Sequence, residues 1–179
     1  MEEENPVKEH LFEYIKKSEK KFNQLFAEEK SNIIIDNLIN YCYDTIDPKN
    51  TENLSILATG ILHYTLTNAM IPSNRKVEFH GVQTDIVIPN VKTLEKDPKK
   101  ALIIHIPKTI NKSSIEKDIQ NLEKIQPENQ NIWVVLTQDL GLKNKSFFIK
   151  KRNNFENIVF EIANFINFQG NSKLKILKI

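Results

Sequence analysis

The chain is short of arginine, glycine and cysteine. Of its 25 basic residues only Arg75 and Arg152 are arginines, so few guanidinium forks exist to read guanine or phosphate in the bidentate way. Sequence-specific major-groove readout is therefore disfavoured, and lysine-based, sequence-tolerant contact remains open. Four glycines in 179 residues form no phosphate-cradling loop. No nucleophile elbow and no pair of histidines one helical turn apart occurs either, which removes the common nucleotide-binding and hydrolase motifs. The sole cysteine, Cys42, excludes an internal disulfide and every multi-cysteine metal site. Lying between Tyr41 and Tyr43 in an apolar helical pattern, it reads as a core residue. No stretch approaches the roughly 20 apolar residues of a membrane span, and the acidic opening Met1-Glu2-Glu3-Glu4-Asn5-Pro6 is unlike a secretory signal, so a cytoplasmic protein without membrane contact is expected. A net charge of +2, from 25 basic against 23 acidic residues, gives no global electrostatic case for a polyanionic partner.

What is present is a soluble α/β pattern, 40% apolar and 27% charged. Leu11, Phe12, Ile15, Phe22, Leu25 and Phe26 recur at three- and four-residue spacing and predict an amphipathic helix over 8–30. Ile34, Leu38, Tyr41 and Cys42 predict a second helix, from a cap at Ser31 or Asn32 to Ile46. Residues 1–48 are thus expected to form a helical appendage that packs on the α/β domain of 49–179 or mediates contact with a protein partner or a second copy. A broad apolar face from Leu54 to Ala69 predicts a third helix.

The period then switches. Lys76 to His80 alternates, Gly81 turns the chain, and Val82 to Ile88 returns, which makes a hairpin. A lysine-rich loop is expected next, followed by the buried strand Ala101 to Ile106. A helix from Ser113 to Ile125 leads to a second buried strand, Ile132 to Leu136, so these strands should be parallel with a right-handed crossover. Ser146 to Lys150 is read as a further strand, Phe155 to Phe168 as a helix and Lys173 to Ile179 as a closing strand. The fold class expected is a mixed four- or five-stranded sheet flanked by helices.

From residue 51 to 137 the order helix, strand, strand, strand, helix, strand resembles the core of the PD-(D/E)xK nuclease superfamily, the restriction-endonuclease-like fold. In that family an acid on the second strand and an acid-x-lysine on the third converge at one sheet edge. The carboxylates hold a divalent metal and the lysine positions the attacking water. Thr84-Asp85 before an aliphatic strand resembles the first half of this signature. In the second half, Ile106-Pro107-Lys108 supplies the lysine but has Ile106 where the acid belongs. The resemblance then implies Asp85 and Lys108 as the catalytic remnant and Mg²⁺ or Mn²⁺ as the ion. His105, beside the gap, reads either as a replacement metal ligand next to Asp85, an imidazole being better suited to Mn²⁺ or Zn²⁺ than to Mg²⁺, or as a buried, hydrogen-bonded histidine near the strand end. With one carboxylate missing, cleavage should be weak or absent.

Other candidates carry less. Asp118 and Gln120 lie on the helix after the third strand, where some members of the superfamily direct a polar residue at the metal. Glu78 and His80 share one hairpin face, and His63 sits in the third helix. Lys143, Lys145, Lys150, Lys151 and Arg152 flank Phe147 and Phe148 with no acid among them, a pattern that can track a DNA or RNA backbone and stack its bases. Two functional readings follow: a divergent, weak or inactive nuclease-like protein acting on nucleic acid, and a non-catalytic protein–protein interaction module.

Overall fold

The computed structural model describes residues 5–47 and 49–176, with side chains through Gln169. The chain opens with α1 (Pro6–Ala27), α2 (Ser31–Tyr43) and α3 (Thr51–Asn68). Asn5 accepts from Val7 N at the start of α1, and Asn50 accepts from Asn53 N at the start of α3, so each satisfies an amide the helix itself leaves open. The buried side of α1 (Val7, Leu11, Phe22) and of α2 (Ile34, Ile35, Leu38, Ile39, Cys42) joins α3 in one apolar core. That core also takes in residues of the sheet, so the inner faces of the first two helices are spent on the rest of the chain.

β1 (Asn74–Phe79) and β2 (Val82–Ile88) form the hairpin. His80 and Gly81 both take positive φ, 49° and 75°, as the two central residues of a type I′ turn require. After β2 come the short helix α4 (Val91–Lys96), β3 (Leu102–His105), α5 (Lys112–Glu123), β4 (Ile132–Leu136), β5 (Ser146–Phe148) and α6 (Ile158–Ile176). The five strands lie in the order β1-β2-β3-β4-β5. The pairs from β1 to β3 are antiparallel, and β3, β4 and β5 run parallel. This is the expected mixed sheet, with helices on both faces.

Alternation assigns the faces. Ile86, Ile88, Leu102, Ile104, Trp133, Val135 and Phe147 enter the core shared with α1, α2, α3 and α6. Val87, Ile103 and Ile132 pack with Leu94 of α4 and Leu122 of α5, while Val134 and Leu136 pack with Ile115 and Ile119 of α5. Only Ile86, Val87 and Ile88 of β2 pair with β3; the outer part of β2 pairs with β1 alone.

Three segments depart from the sequence reading. The expected loop after Pro89 contains α4, because Asn90 caps it by accepting from Thr93 N and Leu94 anchors it in the core. The cap of α5 is Asn111, which accepts from Ser114 N, in place of Ser113. The closing strand does not form over 173–176, which continue α6: Ile158, Val159 and Ile162 set a helical spacing that nothing downstream breaks. Residues 177–179 of that expected strand lie outside the described residues.

Gly60 marks the tightest helix contact. A Cβ placed there would stand 2.6 Å from Leu11 Cδ2 of α1, and Leu11 is itself fully buried. Alanine would gain up to about 1 kcal/mol in helix propensity, yet overpacking costs roughly 1–3 kcal/mol. Gly60→Ala should therefore lower stability in urea unfolding. In a double-mutant cycle Leu11→Ala should be less damaging on the Gly60→Ala background than alone.

Candidate functional site

Because β2 and β3 run antiparallel with Ile86 opposite Ile104, the residue opposite Asp85 is His105. Both lie on the α5 face of the sheet, where Val87 and Ile103 also point. Asp85 Oδ2 accepts two hydrogen bonds, from His105 Nδ1 at 2.8 Å and from the backbone N of Ile106 at 2.8 Å. One carboxylate oxygen thus orients the imidazole and ties down the end of β3. A carboxylate can only accept, so the proton of this contact sits on Nδ1. Nε2 points towards α5, 3.6 Å from Asp118 Oδ2, too long for a hydrogen bond. It is buried and has no hydrogen-bond partner.

These three side chains line an open cleft of about 720 Å³ between the hairpin and α5. Lys76, His80 and Lys124 line it too. Lys76 has φ of 47°, a left-handed conformation that costs a non-glycine residue about 1–2 kcal/mol. Lys124 donates to Asn121 Oδ1 at 2.7 Å.

Lys108 is elsewhere. The sequence reading brought it to Asp85 at a common edge, but β3 ends at His105 and the alternation carries Ile106 into the opposite core. Pro107 donates nothing and its carbonyl accepts from Ser55 Oγ of α3. Lys108 then lies on the α3 side, 3.8 Å from Glu52 and largely exposed. The position opposite Asp85 belongs to His105. Sequence alternation alone could not give this, because it fixes faces and leaves cross-strand partners open.

The remaining candidates separate cleanly. Asp118 faces the cleft and Gln120 is exposed outside its lining. Glu78 accepts from Gln83 Nε2 on the wet face of the hairpin. His63 is partly buried, and desolvation, with Arg75 adding to it, holds its imidazole below the ordinary range. The basic patch is divided by β5: Lys143 and Lys145 precede the strand, and Lys150, Lys151 and Arg152 follow it. Lys145 pairs with Glu161 at 2.7 Å and lies over the Trp133 ring; Lys151 pairs with Asp44 at 2.6 Å. Among the described residues no carboxylate pairs with Lys143, Lys150 or Arg152. Phe147 is buried in the core and Phe148 packs beside Leu140 and Leu142, so neither ring is free to stack a base.

The donor set does not fit Mg²⁺. That ion requires oxygen ligands in near-octahedral order, whereas one oxygen of Asp85 is engaged by two donors and the opposite position is an imidazole. Among the described residues no group of three or more His, Cys, Asp or Glu side chains is placed to hold a metal.

No family model matches the chain, and no curated protein matches it in sequence. Among solved structures, the restriction endonuclease PspGI in complex with its substrate DNA superposes with a TM-score of 0.56, over 92% of this chain and 94% of that one, at 13% identity. The fold is restriction-endonuclease-like. No helix among the described residues is long and apolar enough to cross a membrane.

Two outcomes follow from the side-chain geometry. Asp85→Ala leaves the Ile106 amide without its acceptor and should cost about 1–3 kcal/mol in urea unfolding, with a smaller loss for Asp85→Asn, which keeps an acceptor oxygen. An unchanged midpoint for Asp85→Ala would show that the carboxylate does not hold the strand end. For Cys42, burial pushes the thiol up to about 11. Its thiolate fraction at pH 8 is then about one in a thousand, and a thiol-labelling reagent should modify it only after denaturation.

Proposed function

We propose that this protein is a divergent, nuclease-fold protein that binds nucleic acid and cleaves it weakly or not at all with Mg²⁺. The observation that carries this reading is the Asp85–His105 contact: the acid on the second strand is kept, and the cross-strand position is filled by an imidazole that the acid itself orients. The solved structure with the same fold is a complex with substrate DNA, which supports nucleic acid as the partner here. Asp85 is the remnant of the centre, and Lys108, on the other sheet face, takes no part in it.

The contacting charges are the free members of the divided patch, Lys143, Lys150 and Arg152, together with Lys76 at the cleft. They contact phosphates without reading bases, as a chain with two arginines permits. Lys145 and Lys151 contribute less, because each already holds a carboxylate.

Binding of duplex and single-stranded DNA and RNA, measured from 50 to 200 mM salt, tests this directly. Four phosphate contacts predict a log–log slope near −3.6 on duplex, a loss of roughly 150-fold over that range. Removing Lys143, Lys150 or Arg152 should each flatten the slope by about one. Rapid Mg²⁺-dependent cleavage abolished by Asp85→Ala would overturn the weak or inactive reading. Absence of salt-sensitive affinity for any of these nucleic acids would overturn the binding reading and leave a protein-docking role.

A further inference from the structure

The buried Nε2 of His105 has neither a hydrogen-bond partner nor access to water. A polar atom in that state costs free energy unless something meets it. Three observations narrow what can. First, Asp85 takes the proton on Nδ1, so in the neutral imidazole Nε2 carries the lone pair and directs it away from Asp85; a carboxylate behind the far ring nitrogen is the arrangement that orients metal-binding histidines. Second, Asp118 Oδ2 stands 3.6 Å from Nε2. Two ligands each about 2.0–2.1 Å from one tetrahedral ion are separated by roughly 3.3 Å, so the gap is close to that of a shared ion and beyond that of a hydrogen bond. Third, a nitrogen and a carboxylate oxygen form a donor pair suited to zinc-like ions and poor for Mg²⁺.

We propose that His105 Nε2 and Asp118 Oδ2 together bind a divalent transition ion of the zinc class at the base of the cleft. Asp85 is a positioning residue that holds the imidazole from behind. The inference rests on reading this cleft as the remnant centre, but it changes both the ion and the ligands: Asp118, from the helix, takes the metal-binding place, and Asp85 moves to the outer shell. Two protein ligands leave further coordination positions open towards the cleft, where water or a phosphate oxygen can enter. The ion also joins the end of β3 to α5. The charged groups lining the cleft are Lys76 and Asp85 on the hairpin and Asp118 and Lys124 on and after α5.

Full-length protein stripped with a chelator and titrated with Zn²⁺ provides the test, read by thermal unfolding and by calorimetry, with Co²⁺ absorption as a spectroscopic check. Zn²⁺ should raise the melting temperature and Co²⁺ should give visible d–d bands; Mg²⁺ at the same concentrations should do neither. Asp118 is half exposed on α5, so Asp118→Asn will fold, and it should lower Zn²⁺ affinity at least tenfold. His105→Ala should abolish binding, Asp85→Asn should weaken it, and His63→Ala should leave it unchanged. The proposal is overturned by absence of a Zn²⁺ response in the wild type, by an Asp118→Asn variant that binds normally, or by loss of binding through His63 instead. Salt-sensitive nucleic-acid affinity without Zn²⁺ binding would sink this proposal and spare the functional reading. Zn²⁺ binding without nucleic-acid affinity would do the reverse.

Discussion

Burial of β3 and β4 on both faces is the constraint from which the architecture follows. Leu102, Ile103, Ile104 and every residue of β4 are withdrawn from water, and a strand in that condition needs a layer on each side. α3 and α6, with α1 and α2 behind them, supply one layer; α5 and α4 supply the other. The strand can leave this sandwich only at its end, and there the side chain pointing into the α5 layer is a histidine. Asp85 makes that tolerable by accepting from both its ring and the next backbone amide.

The element order was readable because the period of the apolar residues changes sharply between helices and strands. Continuous apolar runs at 102–104 and 132–136 betrayed the centre of the sheet, and the histidine–glycine turn betrayed the hairpin. Over 173–176 the closing strand was misread because an alternation by two across so few residues is a pattern a helix can carry. α4 was missed since its six residues contain one buried anchor, Leu94, too few to show a period.

The site was half legible. Asp85 stood out as an acid interrupting an aliphatic strand, and His105 as the polar end of the next. Their pairing depended on register, which no local pattern encodes. Lys108 falls on the other side because β3 ends at His105 and Ile106 enters the opposite core, and Asp118 was undervalued because nothing in the helix distinguishes a carboxylate facing a cleft from one facing solvent. The basic patch looked continuous in sequence, yet β5 divides it and Glu161 and Asp44, distant along the chain, engage two of its five charges. Linear charge density overstated the field for that reason.

The hairpin extends past the sheet that supports it. Since β2 is held by β3 only over Ile86–Ile88, the segment from Val82 to the Asp85 position is a two-stranded ribbon anchored at one end. Past Ile86 the ribbon has no ladder to β3; it is held instead by side chains, with Val77, Phe79 and Val82 packed against the cluster of Leu94 and Leu122 and Asp85 accepting from His105 and the Ile106 amide. The two walls of the cleft are therefore built differently: on one side a helix whose backbone satisfies itself, on the other a ribbon whose outer strand edge has no third strand beside it and depends on side chains for its position.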